Sequence, residues 1–133
     1  MFEGLRLVIA DDDQMIRQGL RIITEALGAE VLAEADNGHV CLEQVERLRP
    51  ELVLLDISMP VMGGFAAARQ LRARMPELRI VFVSQHSERV YIEEAFQIGV
   101  NGYILKQTAA TDLGDAIQAV MSGRKFLSPL MAA

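Results

Sequence analysis

The sequence predicts an α/β fold in which five parallel strands, in the order 2-1-3-4-5, form one sheet with helices on both faces. Three observations lead to this prediction. Short apolar segments alternate five times with segments in which apolar residues recur every three or four positions, the pattern of repeated strand–helix units. The connections are short, which favours right-handed crossovers between parallel strands. The strand from Leu52 to Asp56 is apolar on both sides, as is typical of a strand buried in the middle of a parallel sheet.

The first half of the chain supplies two strands and two helices. Leu5 to Ala10 is predicted to be a buried strand that ends at a run of three aspartates. The helix that follows has Asp13 as its N-cap and stops at Gly28. Glu30 to Ala35 is the second strand, and its charged residues suit the edge of a sheet better than the middle. A second amphipathic helix follows and ends before Pro50.

The second half continues the same alternation after the central strand. In the predicted strand order, the topological switch point lies between strands one and three, where open α/β sheets bind ligands at the carboxyl ends of the strands. The remaining predicted elements are helix three from about residue 65 to 75, strand four from Ile80 to Val83, helix four from about 88 to 98, strand five from Gly102 to Leu105 and helix five from about 111 to 121.

Length and composition limit the classes of protein to which the chain can belong. With 133 residues, 51% of them hydrophobic, it suits a single globular domain, which we place at residues 1–123, followed by the start of a linker at 124–133. The net charge of −5 argues against direct nucleic-acid contact. We expect a cytoplasmic protein with no membrane contact, because no apolar run approaches ~18 residues, no signal-peptide pattern opens the chain and Cys41 is the single cysteine.

Polar side chains follow four of the five predicted strands, all at the same end of the sheet. Asp11 and Asp12 follow strand one, Asp56 ends strand three, Ser84 follows strand four and Lys106 follows strand five. Each has a structural alternative, because aspartates cap helices, serines turn the chain and lysines end solvated strands. Their joint occurrence on one rim favours a shared function.

Three carboxylates at this rim would repel one another. A pair of like charges about 4 Å apart costs about 4 kcal/mol at an effective dielectric constant of about 20. A hard divalent cation, Mg²⁺ or alternatively Mn²⁺, would relieve the repulsion. With a lysine and a serine hydroxyl beside the metal, Asp56 has the surroundings of a nucleophile in phosphoryl transfer.

Four short motifs carry a resemblance to a known family. They are Val-Ile-Ala-Asp-Asp at 8–12, Leu-Leu-Asp-Ile-Ser-Met-Pro-Val-Met-Gly-Gly at 54–64, Val-Ser at 83–84 and Gly-Tyr-Ile-Leu-Lys at 102–106. With these motifs in this order and at these separations, the chain resembles the CheY-like receiver domain of response regulators in two-component systems from Leu5 to Gly123. The resemblance implies a flavodoxin-like doubly wound fold.

The resemblance also implies a phosphorylation site. Asp56 would accept a phosphoryl group from the phosphohistidine of a sensor histidine kinase, so that the domain is a signalling switch and not an enzyme. Asp12, Asp56 and the backbone carbonyl of Ser58 would hold Mg²⁺, with Asp11 assisting. Lys106 would pair with a phosphoryl oxygen.

A switch is implied beside that site. Ser84 would bond the bound phosphoryl group, and Tyr103 is the aromatic residue that turns inward when the Ser84 hydroxyl moves. The alternative for Tyr103 is a residue at the edge of the core with a solvated hydroxyl. We expect the faces of helices four and five to form the output surface, and a homodimer to form on phosphorylation. Gln85 and Gln107 depart from the residues most common in receivers, but neither removes a group that the chemistry needs.

Residues 122–133 resemble the stretch that follows the fifth helix in LuxR/NarL-type regulators. That subfamily continues into a helix-turn-helix domain, so one prediction is that the receiver regulates transcription through its own C-terminal DNA-binding domain in a longer protein. The alternative is a stand-alone receiver that acts by contact with another protein.

Two other classes of protein compete with the receiver. A phosphatase of the haloacid dehalogenase type also uses an aspartate nucleophile, but it needs a second aspartate two residues later, where this chain has Ser58. A flavodoxin-like binding module would need a loop rich in Ser, Thr or Gly after strand one, where this chain has its aspartate run. A histidine metal site is not expected, because His39 and His86 belong to distant parts of the fold.

Overall fold

A computed structural model describes residues 1–132, and one parallel sheet of six strands runs through its centre. The strand order is 2-1-3-4-5-6, so the predicted α/β class and the predicted order of the first five strands are confirmed. The strands are β1 (Arg6–Ala10), β2 (Glu30–Ala35), β3 (Leu52–Leu55), β4 (Arg79–Ser84), β5 (Gly102–Leu105) and β6 (Phe126–Leu127).

The structure corrects the number of strands from the predicted five to six. β6 pairs in parallel with β5, where Phe126 lies opposite Gly102 and Leu127 lies opposite Tyr103. Two residues are too few to form either an alternating or a continuous apolar pattern, so the sequence does not reveal this strand. β6 lies within the stretch assigned to the start of a linker, and the domain boundary at residue 123 stays a prediction.

Helices cover both faces of the sheet, and the bounds of the five predicted helices lie within about two residues of those predicted, whereas a sixth short helix was not predicted. One turn of 3₁₀ helix, Lys106–Thr108, precedes the fifth helix and is continuous with it. The helices are α1 (Gln14–Ala26), α2 (Gly38–Leu48), α3 (Gly64–Arg74), α4 (Arg89–Ile98), α5 (Ala109–Met121) and α6 (Pro129–Ala132).

Side-chain caps begin α1 and α2. The Asp13 carboxylate accepts hydrogen bonds from the backbone N–H of Met15 at 2.9 Å and of Ile16 at 3.5 Å, as predicted for an N-cap. The Asn37 side chain accepts a hydrogen bond from the Val40 N–H at 2.9 Å. Both helices therefore begin directly after the ends of β1 and β2, which keeps the connections at this rim short.

The second strand lies at the edge of the sheet, as its charges predicted. Glu34 of β2 accepts hydrogen bonds from Arg17 at 3.1 Å and from Arg21 at 2.7 Å, both on α1. Burial opposes ionisation of Glu34, but the two guanidinium groups outweigh it and lower the pKa of its carboxyl. The acidic edge is thus neutralised by the neighbouring helix.

The core has two layers, one on each face of the sheet. Successive residues of β1 contribute to opposite layers, because strand side chains alternate between faces. Val8 belongs to the layer under α2, α3 and α4, and Leu7 belongs to the layer under α1 and α5. Both residues are fully buried, as the apolar pattern of the strand predicted. No helix within residues 1–132 is both long and apolar enough to cross a membrane.

Candidate functional site

The strand register brings three carboxylates together at the carboxyl end of the sheet. Ala10 of β1 lies opposite Leu55 of β3, so the next residues, Asp11 and Asp56, lie side by side. Asp11, Asp12 and Asp56 each offer one carboxylate oxygen, and these oxygens lie within 4.8 Å of one another. Asp11 and Asp56 are 1% and 4% exposed, whereas Asp12 faces solvent.

Lys106 reaches this cluster from the 3₁₀ turn that directly follows β5, two strands away from β3. Its Nζ lies 2.9 Å from Asp11 Oδ2 and 3.4 Å from Asp56 Oδ2. Burial works against the charge of the ammonium group, but the close contact with the Asp11 carboxylate and the charge of Asp56 outweigh it and raise the pKa of Lys106. The site therefore has one fixed positive charge facing two buried carboxylates.

The environment of Asp56 disfavours its ionised form. Burial comes first, and repulsion from Asp11 adds to it, so the pKa of Asp56 rises to about 6 despite the opposing charge of Lys106. One carboxylate oxygen, Oδ1, accepts a hydrogen bond from the backbone N–H of Ile57 at 2.8 Å. The other, Oδ2, faces Lys106. The two oxygens are thus held in fixed and different surroundings.

The loop between β3 and α3 folds tightly against Asp56. The Gly64 N–H donates a hydrogen bond to the Ile57 carbonyl at 2.7 Å. A Cβ at Gly64 would lie 2.0 Å from the backbone oxygen of Asp56, so only glycine allows this close approach. Within the loop, Val61 has a φ of 67° and is 86% exposed, and the Met62 N–H donates to the Pro60 carbonyl at 2.7 Å. This is a γ-turn with positive φ, a rare and strained conformation.

Ser84 and Tyr103 lie on the adjacent strands β4 and β5, where Ser84 is opposite Leu105 and Tyr103 is opposite Phe82. Ser84 is fully buried, and its Oγ accepts a hydrogen bond from the His86 N–H at 3.0 Å. The Tyr103 ring is also fully buried, which excludes the alternative of a solvated hydroxyl in this structure. The Tyr103 hydroxyl donates to the His86 carbonyl at 2.8 Å. Burial raises the pKa of Tyr103, so the hydroxyl stays protonated and able to donate.

His86 links more of the site than the sequence indicates. Its ring nitrogen Nε2 lies 3.1 Å from Ser58 Oγ, and its ring stacks on Tyr91 of α4 with centroids 4.1 Å apart and an angle of 11°. With its backbone bonds to Ser84 and Tyr103, His86 connects the loops after β3 and β4 to α4. The sequence shows only that His86 follows Ser84, because the direction of a loop side chain leaves no periodic signal.

The predicted site residues are thus all at one rim, with two qualifications. Ser58 lies in the loop after Asp56, but the role of its carbonyl in metal binding stays a prediction. His39 lies on α2, where its ring is 3.9 Å from Glu43. The absence of a histidine metal site stays a prediction.

The carboxylate cluster suits a hard divalent cation. Asp11 Oδ2 is buried and has no aligned hydrogen-bond donor, although the Lys106 ammonium lies beside it. Two buried carboxylates share that single ammonium group, and Asp12 adds a third negative charge from the solvent side. Oxygen ligands from two or three carboxylates, with room for water, are typical of Mg²⁺ sites in proteins.

Comparison with known proteins places this geometry in a family. The family described as the response regulator receiver domain matches residues 7–118. The chain is 33% identical over 126 residues to the transcriptional regulatory protein DegU of Brevibacillus brevis, covering 94% of this chain and 53% of DegU. It is 31% identical over 129 residues to the response regulator GacA of Pseudomonas aeruginosa, covering 96% of this chain and 60% of GacA. The chain thus spans between half and two thirds of the length of these relatives.

Solved structures share the fold over nearly the whole chain. A two-component response regulator of the LuxR family from an Aurantimonas species superposes with a TM-score of 0.89 at 30% identity, covering 96% of this chain and 91% of that one. The isolated REC domain of RcsB from Salmonella enterica, in the presence of phosphomimetic BeF₃⁻, has a TM-score of 0.90, covers 98% of this chain and 97% of its own, and at 23% identity shows the fold alone. The chain therefore belongs to the response regulator receiver domain family.

Proposed function

We propose that Asp56 is the phosphoacceptor of this receiver and that a sensor histidine kinase is the donor. One observation carries the proposal: a buried carboxylate, Asp56, faces a partly buried ammonium group, Lys106, at 3.4 Å, at the rim where open α/β sheets bind ligands. Asp11 and Asp12 supply further negative charge beside it. This arrangement suits a phosphoacceptor, because the negative charge of a phosphoryl group bound to Asp56 would be neutralised by the positive charge beside it.

The proposed step is an in-line displacement at phosphorus. An oxygen of the Asp56 carboxylate forms a P–O bond as the P–N bond of the donor phosphohistidine breaks, and the donor imidazole leaves with the electron pair of that bond. The product is an acyl phosphate on Asp56. Lys106, which now lies near Oδ2 of Asp56, stabilises the charge on a phosphoryl oxygen. Because the pKa of Asp56 is about 6, the ionised carboxylate is available at and above neutral pH.

Asp11, Asp12, Asp56 and the carbonyl of Ser58 are the groups that would hold Mg²⁺. When bound, the ion supplies charge neutralisation for the phosphoryl oxygens. The chain's own contribution is to hold the carboxylates in place. The Asp13 N–H donates to Asp11 Oδ1 at 2.9 Å, which leaves Oδ2 facing the site.

The phosphoryl group would act as a switch through Ser84 and Lys106. It brings nearly two negative charges and three acceptor oxygens, so the Ser84 hydroxyl gains a hydrogen bond by turning toward it. Ser84 Oγ now accepts the His86 N–H, and that bond would weaken. His86 holds the Tyr103 hydroxyl and stacks on Tyr91 of α4, so the change would reach the α4 face.

The proposal is tested by incubation with acetyl phosphate and Mg²⁺, followed by intact-mass spectrometry. We expect one phosphoryl adduct on the wild-type chain and none on Asp56→Asn. Asp115→Asn, which changes an exposed aspartate on α5, is the matched control and should be labelled like the wild type. Continuous release of phosphate without a lasting adduct would favour a phosphatase, and an adduct on any other residue would exclude Asp56 as the acceptor.

The switch is tested separately by NMR with beryllofluoride and Mg²⁺. We expect backbone amide shifts to change at Ser84, at Tyr103 and along α4. The amides at the amino ends of the strands, such as Arg6 and Arg79, serve as internal references and should change least. Changes confined to the loop around Asp56 would show that the site binds the probe without switching α4.

We also propose that the receiver controls transcription in a longer protein. The support is that DegU is named a transcriptional regulatory protein and that the chain covers only 53% of its length. The proposed partners of the whole protein are a C-terminal DNA-binding domain of its own and a second copy on phosphorylation. The test is sedimentation and DNA binding of the full gene product with and without acetyl phosphate. A gene that ends with this chain would leave the alternative of a stand-alone receiver.

A further inference from the structure

The segment after α5 is attached by a serine to β5, the strand that carries Tyr103. Ser128 is fully buried although it lies beyond the last predicted element. Its N–H donates to the Tyr103 carbonyl at 3.0 Å, and its Oγ accepts the Leu105 N–H at 3.0 Å. A side chain thus continues the hydrogen-bond ladder along β5 past the end of the two-residue β6. The serine hydroxyl therefore binds the residue that directly precedes Lys106.

A buried carboxylate fixes that serine. The Ser128 hydroxyl donates to Asp112 Oδ2 at 2.7 Å, and the Thr108 hydroxyl donates to the same oxygen at 2.7 Å. Asp112 is 7% exposed and lies in the first turn of α5, where the helix dipole favours negative charge. This buried polar network lies outside the cluster of Asp11, Asp12 and Asp56. It joins β5, α5 and the C-terminal residues.

Apolar and cationic contacts extend the attachment to α4. Leu127 lies opposite Tyr103 in the parallel ladder, so the two side chains lie on the same face of the sheet. Leu127 and Met131 pack against the core layer that contains Tyr103. Lys125 donates to the Val100 carbonyl at 3.2 Å, and its Nζ lies 5.7 Å from the centre of the Phe96 ring on α4. Residues 125–131, here called the C-terminal segment, therefore cover the outer side of β5 between α4 and α5.

We propose that docking of the C-terminal segment on β5 depends on whether Asp56 is phosphorylated, and that docking and phosphoryl binding at Asp56 stabilise each other. The inference rests on the proposed function of Asp56. Ser128 and Asp112 are then positioning residues, which act on Lys106 and Tyr103 through the backbone of β5. The segment is also the part of the chain that leads toward any domain that follows, so it would carry the signal directly.

The coupling is expected to be positive, because docking of the C-terminal segment orders the end of β5. A phosphoryl group on Asp56 needs Lys106 to hold one of its oxygens, and Lys106 follows the strand end that the Ser128 hydroxyl fixes through Leu105. When the segment is docked, the end of β5 is already ordered, so phosphoryl binding loses less conformational entropy. By thermodynamic reciprocity, phosphoryl binding then strengthens docking by the same factor.

The experiment uses the whole 133-residue chain with beryllofluoride and Mg²⁺ as the probe. Hydrogen exchange reports docking, since the amides of Phe126 and Ser128 are bonded to the carbonyls of Asn101 and Tyr103 at 3.0 Å each. In the wild type, we expect the probe to slow exchange of these two amides by about fivefold, the low end of typical couplings. We expect no such slowing in Asp56→Asn.

The reciprocal measurement is the affinity for the probe. Ser128→Ala removes both side-chain hydrogen bonds of Ser128, and we expect it to weaken beryllofluoride binding by about fivefold. Leu127→Ala keeps the network but uncovers Tyr103, and we expect a change in the same direction. Ser122→Ala is the matched control, because its hydroxyl donates to the Gln118 carbonyl at 2.7 Å within the end of α5 and touches neither β5 nor the site.

The outcomes separate the two proposals. Wild-type affinity in both Ser128→Ala and Leu127→Ala, or unchanged exchange of the segment in the wild type, would overturn the coupling while leaving Asp56 as the acceptor. If Ser128→Ala does not fold, Leu127→Ala alone decides. A wild-type chain that does not bind beryllofluoride would contradict the proposed function itself.

Discussion

Asp56 is ionised at neutral pH in a place that disfavours its charge. The main cause is burial, with repulsion from Asp11, and the result is a pKa of about 6 against an ordinary value of 3.8. A carboxyl with a raised pKa binds its proton more tightly in the folded state than in the unfolded state. Its contribution to stability is therefore complete below about pH 4 and is lost as pH rises to about 6.

This shift predicts how Asp56→Asn changes the pH dependence of stability. In metal-free buffer, the stability of the variant relative to the wild type should increase by about 3 kcal/mol between pH 4 and pH 8, because one pKa unit corresponds to about 1.4 kcal/mol. Urea denaturation at several pH values in EDTA measures it. Asp115→Asn is the control, and it should follow the wild-type curve. Parallel curves of stability against pH for Asp56→Asn and the wild type would show that folding does not raise the pKa of Asp56.

Val61, in the loop between β3 and α3 that follows the acceptor Asp56, has a strained backbone conformation. Its φ of 67° is unfavourable for a β-branched residue, by about 1–2 kcal/mol, whereas asparagine tolerates this region. Val61→Asn should therefore stabilise the fold by about 1 kcal/mol. The control is Val90→Asn on α4, also exposed, where the two residues have similar helix propensity and stability should change by less than about 0.5 kcal/mol. Thermal denaturation of both variants measures the difference, and a loss of stability in Val61→Asn would contradict the strain.

At the scale of elements, the β3–α3 loop depends on Gly64. A Cβ there would meet three backbone atoms of Asp56 and Ile57 at 2.0 to 2.8 Å, and backbone cannot move aside cheaply. Gly64→Ala should destabilise the fold by about 1–3 kcal/mol and shift the acceptor, so that labelling by acetyl phosphate also falls.

Gly19 provides the matched control for this substitution. It lies inside α1, and a Cβ there would meet no atom within 4 Å. Gly19→Ala should stabilise the fold by about 0.5–1 kcal/mol, because alanine loses less backbone entropy in a helix. Urea denaturation compares the two variants. Equal effects of both changes would mean that the close approach of Gly64 to Asp56 is not the cause.

The strands and helices that the sequence predicts are those with long apolar patterns. β3 and β4 are buried on both faces and stand out as continuous runs, and the N-cap Asp13 marks the start of α1. β6 escapes prediction because its two residues hydrogen-bond only in the context of β5. The 3₁₀ turn at Lys106–Thr108 escapes for a similar reason, since one tight turn has no periodicity of its own.

For the molecule as a whole, the repulsion among the rim carboxylates should make the stability of the fold depend on bound Mg²⁺. Mg²⁺ at ten times its dissociation constant should stabilise the wild type by about 1.4 kcal/mol. Asp12→Ala and Asp56→Asn should lose most of this gain and should be at least as stable as the wild type without metal. Asp115→Asn should keep the full gain. Denaturation with and without Mg²⁺ tests this, and marked destabilisation of both rim variants in EDTA would show that the aspartates serve the fold.

The topology explains why the placement of the candidate site residues could be predicted from the sequence. In a doubly wound parallel sheet, the residues at the carboxyl ends of β1, β3, β4 and β5 share one rim, so Asp11, Asp56, Ser84 and Lys106 lie on that rim whatever their loops do. The contacts of His86 with Ser58 and Tyr91 depend on loop conformation and ring orientation. They follow from tertiary packing, which a single sequence does not show.

The two-residue strand β6 also affects where this chain can safely be cut. It pairs with Gly102 and Tyr103, and Ser128 pairs with the strand just beyond, so the polar backbone along the outer side of β5 is covered. A truncation after residue 123 would uncover a fully buried apolar strand, Gly102–Leu105, as a new open edge. Such edges recruit strands from other molecules, so the shortened fragment would be aggregation-prone and poorly suited to expression, although it would keep every residue of the phosphorylation site.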